Sequence, residues 1–139
     1  ANLSYADLTE ANLEGANLTY ARLGKSVLKD ADLVWADLTG AFIFDVDLTE
    51  ANLEGADLTK AYLSYANLTK AYLTKADLTG ADLTGADLTG ADLTGTDLTA
   101  ADLTEVSGID CSMLAQSINW ETSFRDQHRE CGEPIPTKK

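Results

Sequence analysis

Apolar residues recur along this chain with a period of five. Residues 76–99 read ADLTGADLTGADLTGADLTGTDLT, and the same frame runs from Ala1 to Glu105 without insertion or deletion, twenty-one pentads in all. The first place is Ala except at Ser26, Val46 and Thr96, and the third is Leu except at Ile43. The second place is mostly Asp or Asn and the fourth mostly Thr. A helix turns about 100° per residue, so five residues carry each Leu about 140° past a full turn and leave no apolar stripe. A flat strand alternates faces at every residue, so an odd repeat would send successive leucines to opposite sides. The pattern is satisfied when the first and third places share one side of a short strand and a corner at the fourth and fifth places resets the parity. Every Ala and Leu then points inward, and the chain winds into an all-β solenoid with a dry interior.

A longer echo sets the size of the coil. Residues 7–23 read DLTEANLEGANLTYARL and residues 47–63 read DLTEANLEGADLTKAYL, forty residues apart. Four corners of about 90° give about twenty residues per coil, two coils per echo and about five coils in the repeat region, a rod of roughly 25 Å at the strand spacing of stacked coils. This pattern closely resembles the pentapeptide repeat family, whose motif is A(D/N)LXX, and the resemblance covers residues 1–105. It implies a right-handed quadrilateral β-helix. The parity argument alone requires only the inward column and the repeated corners.

The chain has 139 residues and a net charge of −13. Residues 1–105 contain 18 Asp plus Glu against 6 Lys plus Arg, a balance of −12, so the acid lies on the outside of the coil. Free nucleic acid and anionic lipid would be repelled, while a basic protein or a cation would not. No apolar run approaches the ~18 residues of a membrane span. The sequence starts in frame at Ala1 without Met, as expected of a removed leader or a trimmed sequence.

Folded at twenty residues, the pentads fall on four faces. Face four stacks Asp37, Asp57, Asp77 and Asp97 at its second places. Carboxylates about 5 Å apart repel by roughly 1 kcal/mol in water, tolerable on a solvated face. An acidic ladder mimicking a phosphate backbone, or a weak cation site, is the functional alternative. Face one departs most from the motif. Its second places stack Asn2, Arg22, Phe42, Tyr62, Asp82 and Asp102, with Lys25, Phe44 and Tyr65 nearby. Arg22 beside Phe42 and Tyr62 allows a cation–π contact and an aromatic ladder. Arg22, Lys25, Phe42, Phe44, Tyr62 and Tyr65 are therefore the candidate interaction patch, unless the ladder serves only to stabilise adjacent coils. Gly80, Gly85, Gly90 and Gly95 stand at fifth places, where a corner such as a type II turn needs positive φ. Fifth places holding Tyr5, Trp35, Tyr65 or Lys are expected to use a turn without that demand.

The frame breaks after Glu105. Gly108 suits an exit bend, and Asp110 can cap a short helix carrying Cys111, Met113, Leu114 and Ile118. Asn119 can cap a second helix, in which Trp120, Phe124, His128 and Cys131 fall at helical spacing. Gly132 and Pro134 are a stop signal. Residues 106–132 thus read as a helical cap on the last coil and 133–139 as a loose tail. Cys111 begins the first helix and Cys131 ends the second, so an antiparallel pair brings them together. A disulfide closing that loop would stabilise the cap by roughly 3 kcal/mol and imply an oxidising compartment. One histidine, His128, leaves too few ligands for a zinc site.

These features point to a non-enzymatic structural or protein-interaction module, monomeric or weakly dimeric, with no cofactor and no metal. No phosphate-binding glycine loop and no nucleophile–His–acid set is present. Some cyanobacterial members of the family are exported to the periplasm or thylakoid lumen, and the disulfide cap resembles those. Other members inhibit a topoisomerase, DNA gyrase, as DNA mimics. They typically carry Phe at some central positions and dimerise through a C-terminal helical module, whereas this chain has Leu at twenty centres and Ile43 at the other.

Overall fold

The computed structural model describes residues 1–123. Second-place residues pair in parallel with the residue twenty positions on, from Asn2 with Arg22 through to Asp87 with Ser107. A coil therefore holds twenty residues and four corners, as the echo in the sequence predicts. Among the described residues only one bridged residue per pentad separates consecutive corners, so the strands are minimal and the corners dominate the architecture.

The backbone hydrogen bonds of one pentad show how this is possible. Ala31 N–H donates to Leu28 O at 3.0 Å, closing the preceding corner. Asp32 N–H donates to Ala11 O in the coil before (2.9 Å), and Leu33 N–H to Asn52 O in the coil after (2.7 Å). Trp35 N–H also reaches the next coil, at Glu54 O (3.0 Å). The fourth-place N–H, on Val34, has no ladder partner and donates to Asp32 Oδ1 at 3.1 Å. This is an Asx turn, in which a short side chain replaces a backbone acceptor. All sixteen second-place Asp or Asn residues of the repeat accept in this way. A fourth-place Thr adds a second donor to the same oxygen, as Thr59 Oγ1 does to Asp57 at 2.6 Å. Such donors hold the carboxyls of Asp7 and Asp87 below the ordinary 3.8, the Thr hydroxyl contributing most. The second-place acid is thus a corner-forming residue.

The expectation that corners without glycine use a different turn is wrong. Every fifth place from Tyr5 to Glu105 has φ between +55° and +72°, including Trp35 at +59° and Lys60 at +60°. With positive φ at the fifth place and not the fourth, and the first-place N–H bonded back to the third-place carbonyl at every corner except that of Ile43 and Val46, these are turns of type II. A non-glycine residue at positive φ costs of order 1 kcal/mol; the paired coils tolerate it fourteen times.

Glycine serves a second purpose, room. A Cβ added to Gly55 would lie 2.3 Å from the Trp35 ring, one to Gly40 2.4 Å from Tyr20, and one to Gly85 2.4 Å from Tyr65. Lys60, Lys70 and Lys75 lie across Gly80, Gly90 and Gly95 in the same way, at 3.2–3.5 Å. Each large fifth-place side chain here folds over the glycine one coil later. Gly15 has no such neighbour and nothing within 4 Å.

The interior is one column of first- and third-place side chains, and from Ala21 to Leu103 nearly all are 0–2 % exposed. In the first coil Leu3, Leu8 and Leu13 are only half-buried, because no described coil precedes them. Thr96, a first-place exception, donates its buried hydroxyl to Leu73 O at 2.6 Å. Ser26 Oγ is buried without a hydrogen-bond partner.

At the other end, helix α1 spans Cys111–Ala115. Asp110 caps it as expected, accepting from Met113 N–H at 2.8 Å. Leu114 is wholly buried and joins the Leu column, with Met113 and Trp120 packed against it. Ile118 is not on the helix: it bridges Asp97 and extends face four by one strand. Asn119 does not cap a second helix. Its φ is +59° and its Nδ2 donates to Thr99 Oγ1 at 3.0 Å, so it builds a corner instead. Trp120–Thr122 form a single 3-10 turn and Ser123 is extended, which ends any helix begun at Trp120. Phe124, His128 and Cys131 lie outside the described residues.

The glycine account separates two substitutions with the same backbone demand. Gly15→Ala should cost about 1 kcal/mol from positive φ alone. Gly55→Ala should cost about 1–2 kcal/mol more by displacing Trp35, and Trp35→Ala should remove most of that excess. Chemical denaturation of the four proteins measures this; equal costs at Gly15 and Gly55 would contradict it.

Candidate interaction face and acidic face

Five pentads have a second-place residue that cannot accept a hydrogen bond at the corner: Arg22, Val27, Phe42, Tyr62 and Tyr72. Three of them, Arg22, Phe42 and Tyr62, follow one another up face one, joined by parallel bridges. On that face the amides of Gly24, Phe44 and Ser64 donate to no described residue. The motif is thus abandoned here at the expense of three corner hydrogen bonds, each worth about 1 kcal/mol net.

The aromatic ladder forms as expected. Phe42 and Tyr62 stack with ring centroids 5.0 Å apart and planes within 2°. Both remain open to solvent, 39 % and 47 % exposed. The cation–π contact does not form. The ring contact on this face is Phe42 with Tyr62, and the exposed Arg22 side chain has no partner among the described residues. Coil stacking sets Arg22 beside Phe42 but leaves its long stem free to point elsewhere.

The remaining patch residues divide. Phe44, at a fourth place, lies over Gly24, whose absent Cβ would otherwise meet the ring at 2.4 Å. Tyr65 lies across Gly85 at the corner, so its position is explained by packing between coils. Lys25 is an exposed corner residue. Arg22, Phe42 and Phe44 are brought together, and with Ser4 they line an open cavity of about 360 Å³ between the second- and fourth-place columns of the first three coils. Ser4 was not expected here, because its own pentad is regular; only the twenty-residue stacking places it under Gly24 and Phe44.

On face four Asp37, Asp57, Asp77 and Asp97 stack through parallel bridges. Each accepts the N–H of its own fourth-place Thr at 2.9–3.0 Å. The Thr99 hydroxyl is the main cause of a lowered Asp97 value. Each of these acids makes the corner of its own pentad. Among the described residues no group of His, Cys, Asp and Glu is placed to hold a metal ion. None of their helices is long and apolar enough to cross a membrane. No described cysteine is a free thiol; Cys111 opens α1, and Cys131 lies outside the described residues.

A family model described as pentapeptide repeats, in 8 copies, matches residues 6–42, 44–80 and 66–104. No curated protein matches the chain. Among solved structures, a pentapeptide repeat protein of the Arabidopsis thaliana thylakoid lumen is 41% identical over 68% of this chain, with a TM-score of 0.67, and this chain spans 66% of it. A pentapeptide repeat protein of the cyanobacterium Cyanothece is 30% identical over 80% of this chain and 65% of its own, with a TM-score of 0.41. One from the cyanobacterium Nostoc, involved in heterocyst differentiation regulation, is 32% identical over 89% of this chain and 61% of its own, with a TM-score of 0.34. With the unbroken frame, the twenty-residue coil and the match across residues 6–104, the chain belongs to the pentapeptide repeat family.

Proposed function

We propose that this chain is a non-enzymatic interaction module: a right-handed, four-sided, acidic β-helix that offers face one to a protein partner. One observation carries the reading. Phe42 and Tyr62 are stacked and exposed at places where Asp or Asn would complete a corner. Aromatic and Arg side chains supply a large share of interface hot spots, each worth about 2 kcal/mol or more when truncated. The surrounding acidic faces discourage acidic competitors. On this reading the centre of the contact lies on the second and third coils, where Arg22, Phe42 and Phe44 line the open cavity.

The same reading assigns residues 106–132 to a cap that closes the column through Leu114, residues 133–139 to a tail, and Cys111 and Cys131 to a disulfide fastening that cap. It places the protein in an oxidising, extracytoplasmic compartment. The absence of a free thiol at Cys111 supports this, and so does the luminal source of the 41% identical protein. Alkylation of the unreduced, folded protein followed by mass measurement should label neither cysteine; two labelled cysteines would remove the disulfide and the inference of compartment with it.

The triple variant Arg22→Asp, Phe42→Asp and Tyr62→Asn restores the repeat motif, and none of the three points into the column. It should keep the wild-type circular dichroism, gain stability from three completed corners, and lose a partner captured by the wild type. A variant that retains every captured partner would defeat the assignment of face one.

A further inference from the structure

In sixteen pentads a second-place oxygen stands against the fourth-place N–H. At residues 21–25 and 41–45 that oxygen is missing, because Arg22 and Phe42 occupy the second place. The open cavity lies beside those two corners. Its wall combines one cation, one hydroxyl and two aromatic rings, from Arg22, Ser4, Phe42 and Phe44. The Arg22 side chain has no partner among the described residues, and the amides of Gly24 and Phe44 have no described acceptor. A guanidinium without a partner in the cavity wall calls for an anion with oxygen acceptors in a plane, which Arg binds through two parallel N–H bonds. The rings call for an apolar body attached to that anion.

Resting on the reading of face one as the partner-binding face, we propose that this cavity takes a carboxylate of a polypeptide partner together with the apolar side chain next to it. The carboxylate stands in for the missing second-place acid. It pairs with Arg22 beside the corner amide of Phe44, while the apolar group lies against Phe42 and Phe44.

Two observations favour a chain end or acidic side chain of a protein over a free small acid. The rings are 39 % and 42 % exposed, so the cavity is a shallow recess that would leave a small ligand largely wet. The stack continues upward through Tyr62, giving a longer partner a second apolar foothold. The net charge of −13 opposes an anion at long range. At physiological salt, however, screening acts beyond about 8 Å, and face one here carries Arg22 and Lys25 on one coil against Asp45 on the next.

The test uses the full chain and three probes: a pentapeptide ending in Leu-Phe with a free C-terminal carboxylate, the same peptide as its C-terminal amide, and 3-phenylpropionate. Amide chemical shifts are followed in titrations at fixed salt. The free-acid peptide should shift Gly24 and Phe44 saturably, and the amide form should bind at least about tenfold more weakly, as expected for loss of a charge-assisted pair. Arg22→Gln should weaken the free acid by a similar factor without moving the amides of the Leu column. Arg22→Asp, which supplies the protein's own acceptor, should abolish binding. Saturable binding of 3-phenylpropionate as tight as the peptide would overturn the choice of a polypeptide source. Equal binding of acid and amide peptides, shifts outside the cavity, or no binding at millimolar peptide would each overturn the carboxylate site. If the peptide fails while the triple variant still loses its partner, face one binds a protein through other chemistry. If the peptide binds while the triple variant keeps its partner, the cavity holds carboxylates but is not the partner's seat.

Discussion

In each pentad one backbone N–H, that of the fourth place, is reached neither by the ladder between coils nor by the turn. A second-place oxygen takes it. The structure rests on this contact because corners make up so much of the chain: one bridged residue, then a turn, four times per coil. Polar backbone groups so close to a dry column must be bonded, and in the central coils first, second, third and fifth places, Val46 apart, are served by main-chain acceptors. The Asx oxygen completes the set and presets the bend. It also reconciles an acidic surface with a tightly wound coil, since each Asp at these corners accepts a hydrogen bond from the backbone it bends.

The column and the corners divide the work of specifying the fold. Ala and Leu fill the interior to near-zero exposure, and the exceptions carry their own adjustments: Thr96 finds a carbonyl, whereas Ser26 does not. Solenoids depend on neighbouring coils and need their ends closed. Here α1 sets Leu114 on the column while Ile118 and the Asn119–Thr99 bond carry face four one step further.

The period, the twenty-residue coil and the inward column were legible in the sequence because parity allows few alternatives for an odd repeat. The corner chemistry was less so. Gly80 and its neighbours suggested positive φ, but the frame imposes positive φ on Trp35 and Lys60 as well, and the reason for glycine lies one coil earlier in Trp35, Tyr20, Tyr65 and the lysines. Ile118 read as part of the first helix and Asn119 as the cap of a second, yet an unpaired strand edge at Asp97 and a hydroxyl at Thr99 offered them better partners. The stack of Phe42 on Tyr62 followed from residues twenty apart. The place of Ser4 in the cavity did not, since nothing in its own pentad marks it, and the free Arg22 head reflects a flexible stem that spacing cannot orient. What singles out face one in the sequence is the loss of Asp or Asn at consecutive coils.

Amide hydrogen exchange tests the role of the second-place oxygen most directly. In the central coils, fourth-place amides with an Asx acceptor, such as Thr39, Thr59 and Thr69, should be protected. Those of Lys29, Phe44, Ser64 and Thr74 should exchange at least about tenfold faster, although the third-place amide beside each, donating to the next coil, stays slow. Asp57→Ala should move Thr59 into the fast class and leave Leu58 slow. Equal protection of fourth-place amides in the two kinds of pentad would contradict the account.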